Sequence, residues 1–366
     1  MRLQTGCSRN VPTRSYPGNL QSSMNVTGDI AVSGTACHKD RNVSLKIVLM
    51  GTGEFALPTF KVLIESSKHQ VVGVYTQPER TGKGHHRHVN PVKVLAEDHG
   101  IPVFQPAKVN SPEALLELQN LNADVFIVAA YGQIMKPAFL AIPRLGAFNL
   151  HGSILPRHRG AAPVQYSIWT GDQLAGVTIF QIEPSLDSGP IVGLVTTEIG
   201  AKETSGELML RLADLSVELA LEVVDQLDAG TAIFQPQDQS QVTLSPKIPK
   251  EAGVIDWSQS AEQIGCHVRA MQPWPKASAV LQAEGRKPLR CIFLDVDFIK
   301  DHQVIGELGP HAGSGKIKLA NKRLYVAASS GWLQVNLIQP DGKKPMDGTA
   351  FANGYGVTDG AYFSAD

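Results

Sequence analysis

"LKIVLMGTGEFALPTFKVLIES", Leu45 to Ser66, passes from an apolar run through Gly51-Thr-Gly53 into a helical pattern. Leu45 to Met50 reads as a buried strand, and the helix that follows tolerates Pro58 because it falls in the first turn. "HQVVGVYTQ" (69–77) supplies a second strand, and "PVKVLAEDHG" (91–100) a helix ended by Gly100. "SPEALLELQNL" (111–121) is a helix capped by Ser111, and "ADVFIVAAYG" (123–132) another buried strand. Strands apolar on both faces alternating with helices predict an α/β fold: a doubly wound, mostly parallel, Rossmann-like sheet.

The glycine turn invites a dinucleotide reading, since Ala56 completes G-x-G-x-x-A. That reading also needs an acid at the end of the second strand to hold the ribose. Here the strand runs into Thr76-Gln77-Pro78, with Glu79 beyond the proline, so no dinucleotide is expected.

"GAFNLHGSILPRHRGAAPVQYS" (146–167) continues the alternation. Side chains two apart on a strand share a face, so Asn149 and His151 project together at a strand's carboxyl end, where open α/β sheets bind ligands. An Asn amide can hold a developing oxyanion and an imidazole can move a proton near pH 7, a pairing suited to acyl-type transfer. In "GVTIFQIEPSLDSGPIVG" (176–193), Asp187 follows a strand from Val177 to Ile182 and can orient His151. Taken singly, an N-x-H pair or an Asp before Ser-Gly more often serves a turn.

With 366 residues, 43% of them hydrophobic, the chain can bury cores for two domains. A net charge of −1 neither demands nor excludes a nucleic acid, and no apolar run is long enough to span a membrane. Cys7, Cys37, Cys266 and Cys291 form no C-x-x-C pair, so neither a disulfide framework nor a zinc site is expected. His85, His86 and His88 sit in a glycine loop without the fixed geometry or the further ligands a metal needs. Residues 1–44 carry five basic residues against two acidic and show no sustained periodicity. They read as a disordered extension, a mitochondrial or plastid transit peptide, or a start assigned upstream of Met24. Without an organellar leader the location expected is cytoplasmic.

Asn149-Leu-His151-Gly-Ser-Ile-Leu-Pro156, Arg159-Gly-Ala-Ala-Pro163 and Leu186-Asp-Ser-Gly189 together resemble the signature of the formyltetrahydrofolate-dependent formyltransferases. The resemblance covers roughly residues 45–350, from Lys46-Ile-Val-Leu-Met-Gly-Thr-Gly53 to beyond Asp256-Trp257. It implies that Asn149, His151 and Asp187 act at the formyl carbon of 10-formyltetrahydrofolate. It also implies that Ser153, Ile154, Leu155 and Pro156 line the folate site, and that no metal takes part. Length argues against the small purine-pathway members. "IDWSQSAEQIGCHVRAMQPWPKASAVL" (255–281) resembles the second domain of the branch whose acceptor is the amino group of methionyl initiator tRNA. In that branch the loop matching Gly82-Lys-Gly84 reaches the tRNA, which implicates Arg80 and Lys83.

The resulting division is a disordered extension (1–44), a catalytic domain (45–232) and a Gln- and Pro-rich linker (233–250). A C-terminal domain (251–350) and a Gly-rich, weakly structured tail (351–366) follow. Runs such as "RLYVAA" (323–328) and "WLQVNLIQP" (332–340) predict an OB-like β-barrel, and seven basic residues between Lys300 and Lys344 a phosphate-tracking face. A monomer is expected. A sugar-nucleotide formyltransferase and a formyl-folate hydrolase remain the alternatives.

Overall fold

The computed structural model describes residues 45–79, 89–309 and 315–365. Expectations for the N-terminal extension, the histidine loop, Arg80 and Lys83 lie outside the described residues.

The first half builds β1 (Lys46–Gly51), α1 (Leu57–Glu65), β2 (Gln70–Tyr75), α2 (Pro91–Asp98), β3 (Val103–Phe104), α3 (Pro112–Asn120), β4 (Val125–Ala129), α4 (Pro137–Leu140) and β5 (Ala147–His151). After these come β6 (Arg159–Gly160), α5 (Pro163–Trp169), β7 (Leu174–Gln181), β8 (Ile191–Glu198) and α6 (Ser205–Ala229). The main sheet runs β3-β2-β1-β4-β5-β7-β8; the first five strands pair in parallel, and β7 pairs antiparallel with both β5 and β8. Alternate residues of β1 enter different cores. Ile47 and Leu49 pack with α1, α5 and α6, while Val48 and Met50 pack with Leu118 of α3 and Phe139 of α4. Both faces are therefore covered, as the unbroken apolar strands require. The turn glycine has a packing reason: a Cβ on Gly51 would lie 2.7 Å from the Ala129 carbonyl oxygen and 2.8 Å from the Phe60 ring.

The second half adds β9 (Leu244–Ser245), α7 (Ala261–Ala270), β10 (Ala277–Gln282), β11 (Leu289–Phe298), α8 (His302–Leu308), β12 (Ile317–Ala320), β13 (Arg323–Ala327), β14 (Trp332–Pro340), β15 (Met346–Asp347), α9 (Gly348–Gly354) and β16 (Tyr362–Ser364). Its sheet runs β12-β13-β14-β11-β10-β16, all antiparallel. A bridge between Lys316 and Tyr362 returns β16 to the start of β12, giving a small, nearly closed barrel. The ending differs from its weak pattern. Phe351 and Phe363 are wholly buried, and β16 is the closing strand, because a three-residue strand needs only one inward aromatic and leaves little periodicity to read.

Sheet and barrel share one apolar cluster, in which Leu208 and Leu212 of α6 join Ile264 and Val268 of α7. Trp169 of α5 lies against His267 of α7 with ring centroids 5.4 Å apart. Lys202 pairs with Asp295 of β11 at 2.7 Å and also with Asp297. Among the described residues no helix is long and apolar enough to cross a membrane.

Candidate active site

β5 places Asn149 and His151 on one face, with Phe148 and Leu150 turned into the opposite core. A cavity of about 710 Å³ opens on this face, lined by Asn149, His151, Phe180 and Asp187 together with Tyr131, Ile134, Met135, Val164 and Leu186. Among the described residues the Asn149 amide has no protein hydrogen-bond partner, so its donors are available to a ligand.

The route that brings Asp187 here is not the one the strand pattern implies. β7 runs antiparallel to β5, with Gln181 opposite Phe148 and Thr178 opposite His151, so the carboxyl end of β7 lies beside the amino end of β5. Segment 182–190 must double back over the face. It does so with Asp187 in the left-handed region (φ 45°), its Oδ2 accepting from the Gly160 amide at 2.7 Å. From there Oδ2 lies 3.8 Å from His151 Nδ1.

His151 is 5% exposed, and its Nε2 lies 2.9 Å from the His158 carbonyl oxygen. A carbonyl only accepts, so Nε2 carries the hydrogen and the neutral ring leaves Nδ1 free on the Asp187 side. Burial pushes the imidazole pKa below its ordinary value; the Asp187 charge and the His158 bond oppose that shift without reversing it. His151 is therefore neutral at pH 7. A proton taken up on Nδ1 would face a carboxylate too far for a direct hydrogen bond but near enough to favour the cation.

The His158 carbonyl is itself fixed. His158 is left-handed (φ 59°), its Nε2 meets Asp172 Oδ2 at 2.8 Å, and Arg157 pairs with the other oxygen of Asp172 at 2.6 Å. Ser245 Oγ donates to the same carbonyl at 2.8 Å, and Thr243 Oγ1 accepts from the His158 amide at 2.8 Å. Residues 233–250, whose composition reads as a linker, thus run along the site: β9 pairs with β6, and Gln235 bridges to Ile191. Nothing in a Gln-, Pro- and Ser-rich stretch marks such a role, since polar composition is shared by loops that wander and loops that are pinned.

Ser153, Ile154, Leu155 and Pro156 do not line the cavity. Ser153 is wholly buried with its hydroxyl donating to the Arg157 carbonyl at 2.7 Å, and the Leu155 amide is bonded to Thr178 Oγ1 at 3.1 Å. Their neighbours Gly152, Gly160 and Ala161 line it instead, because the turn after β5 directs the hydroxyl inward to hold its own loop. Of the basic residues expected on the barrel, Lys318 is occupied: its Nζ donates to the Leu308 carbonyl at the end of α8. Lys300, Lys316, Lys322, Arg323, Lys343 and Lys344 are exposed.

Gly160 joins two of these requirements. Its φ is 132°, and a Cβ there would meet the Ser245 carbonyl oxygen at 2.5 Å. Gly160→Ala is expected to destabilise the fold by about 1–3 kcal/mol through backbone strain. It is also expected to lower kcat, because the amide that holds Asp187 must move. Thermal melting and steady-state kinetics check this; a variant with unchanged Tm and kcat would refute it.

The pattern of the family described as "Formyl transferase" matches residues 45–224, and that described as "Formyl transferase, C-terminal domain" matches 247–356. A methionyl-tRNA formyltransferase from Rhodopirellula baltica is 39% identical over 331 residues, covering 87% of this chain and 96% of that protein. Among solved structures, the sugar 3N-formyl transferase WlaRD, determined with dTDP and 5-N-formyl-THF, superposes with TM-score 0.58 at 14% identity, over 82% of this chain and all of that one. The N-formyltransferase of Helicobacter canadensis, complexed with folinic acid and dTDP-3-aminofucose, gives 0.57 at 14% identity, over 80% of this chain and 98% of that one. At such identities these two speak for the fold alone, while the closer relative and the two family patterns carry the assignment. This chain belongs to the formyl transferase family.

Proposed function

We propose that the protein transfers the formyl group of 10-formyltetrahydrofolate to the amino group of methionyl initiator tRNA. The observation that carries this reading is Asn149, His151 and Asp187 meeting on one wall of the cavity, in a chain whose 39% identical relative is a methionyl-tRNA formyltransferase. A volume of about 710 Å³ is ample for a formylated folate end and an aminoacyl group.

The methionyl nitrogen attacks the formyl carbon, and the carbonyl oxygen gains the negative charge of a tetrahedral intermediate. The free Asn149 amide donates to that oxygen. The attacking nitrogen must lose a proton and N10 of the folate must gain one before the carbon–N10 bond breaks. His151 Nδ1, unprotonated at neutral pH and facing Asp187, is placed to carry it, with Asp187 stabilising the transient imidazolium. Tetrahydrofolate and formylated methionyl-tRNA leave. In this proposal the turn at Ser153–Pro156, pinned to Thr178, backs the folate side of the cavity from behind Gly152.

Because protonated His151 cannot accept a proton, kcat should fall on the acid side, with its limb below about pH 6.5. Asp187→Asn should move the limb lower still, since it removes the charge that favours the cation. A limb above pH 7 would contradict this role for His151.

Residues 45–232 form the catalytic domain in this proposal, 233–250 the connection that also runs along the site, and the residues from 251 through the closing strand β16 the barrel that holds the tRNA, with Arg80, Lys83 and the exposed barrel lysines contacting phosphates. The working form is a monomer in the cytoplasm, or in an organelle if residues 1–44 are a transit peptide. Affinity for Met-tRNA should then fall steeply with salt, by a log–log slope of roughly −0.7 to −0.9 per neutralised phosphate, while folate affinity lacks that slope. Lys83→Ala should raise KM for tRNA far more than for folate. Equal effects on the two substrates would remove the loop from the interface.

A further inference from the structure

Asp187 has three features that require explanation: a left-handed backbone on a residue with a side chain, a loop that doubles back against its strand, and a carboxylate aimed at His151. The Gly160 amide holds the carboxylate. What holds the backbone is a residue from outside the sheet. Gln237 Nε2 donates to the carbonyl oxygens of Asp187 and Gly189, both at 2.8 Å. Its Oε1 accepts from Arg159 Nε at 3.0 Å and Nη2 at 2.7 Å. Both amide hydrogens and both acceptor positions are thus filled, so the amide has one orientation.

Arg159 is 7% exposed and Gln237 8% exposed, and among the described residues no carboxylate pairs with the guanidinium. Its acceptors are the amide oxygens of Gln237 and, at 3.3 Å, Gln239. A buried arginine that only needed neutralising would be better served by a glutamate at 237, which would cost less than leaving the charge to neutral acceptors. A glutamine does what a glutamate cannot: it accepts from the guanidinium and donates to two carbonyls.

We propose that Gln237 is a positioning residue of the formyl-transfer site, its amide locked by Arg159 so that it clamps the backbone of Asp187 and keeps the carboxylate over His151. The dipeptide Arg159-Gly160 then grips Asp187 from both ends, Gly160 directly at the carboxylate and Arg159 through Gln237 at the carbonyl. The inference rests on the function proposed above.

Gln237→Glu separates positioning from stability. The glutamate pairs with Arg159 and neutralises the buried guanidinium, but it has no hydrogen for the carbonyls of Asp187 and Gly189 and turns an oxygen toward them. Gln237→Met, which removes donor and acceptor without adding charge, is the second variant. Each is assayed with 10-formyltetrahydrofolate and Met-tRNA, and the Glu variant is also crystallised. Displacement of a catalytic group by about an ångström is expected to lower kcat about tenfold to a hundredfold, leaving KM for both substrates within about threefold. In the crystal the Asp187 carboxylate should leave the Gly160 amide. A kcat within about twofold of wild type, with the carboxylate in place, would overturn the proposal, since a purely structural Gln237 tolerates a glutamate that pairs with Arg159. Absence of formylation by the wild-type protein would instead refute the function, and the position of Asp187 in the Glu variant would still decide the clamp.

Discussion

Alanine at Asn149 is expected to lower kcat for Met-tRNA formylation by at least about a hundredfold, the usual worth of one oxyanion donor. The amide has no structural hydrogen bond among the described residues, so its removal should cost little stability. This makes Asn149→Ala the cleanest of the three replacements. His151→Ala and Asp187→Ala should each cost at least about a hundredfold as well, in line with general acid–base assistance of roughly 10² to 10⁴. His151 also bonds to the His158 carbonyl and Asp187 to the Gly160 amide. Effects there mix chemistry with loop position, and the double variant should lose less than the product of the singles, as groups acting as a unit do. Single-turnover rates with saturating folate check all three. Near-normal turnover in a folded Asn149→Ala protein would exclude the amide as the oxyanion donor.

Where the chain is cut should matter almost as much. A fragment of residues 45–250 keeps Gln237, Thr243 and Ser245 against the site, whereas 45–232 loses the clamp on Asp187 and two of the bonds that fix His158. Folate Kd by calorimetry should be near that of the full chain for 45–250 and at least about tenfold weaker for 45–232, where the cavity wall is no longer held. Both fragments should lose at least about a hundredfold in kcat/KM for Met-tRNA, because binding energy from the remote barrel positions the reacting amine. The apolar cluster that sheet and barrel share, with Trp169 of α5 against His267 of α7, becomes exposed in either fragment, so melting temperatures belong beside the kinetics. Equal folate affinity for the two fragments would mean that residues 233–250 connect the domains and do nothing at the site. Unchanged Met-tRNA efficiency in 45–250 would remove the barrel from tRNA binding.

The sheet was legible because strands such as β1, β4 and β7 are apolar on both faces, and α3 because its cap is an ordinary one: Ser111 does accept from the Ala114 amide. The pairing of Asn149 with His151 was legible for the same reason, since period two needs no tertiary information. The path to Asp187 was not. Strand direction is invisible in a run such as Val177 to Ile182, and the antiparallel placement of β7 puts its end at the far edge from His151. Ser153 and Leu155 fall in a matching motif, yet their polar groups face inward, a choice made by Thr178 on the neighbouring strand. Gln237 carries no local signal at all, because its importance lies in a contact fifty residues away in sequence.

The central claim is tested most directly by incubating the purified protein with 10-formyltetrahydrofolate and methionyl-tRNA, initiator and elongator in parallel, and following the formyl carbon by isotope. The account predicts N-formylmethionyl initiator tRNA and tetrahydrofolate in equal amounts, formed in the absence of any nucleotide sugar and at least about a hundredfold more slowly by the Asn149→Ala protein. Release of the label as free formate, or its transfer to an amino sugar nucleotide with none to the tRNA, would contradict it.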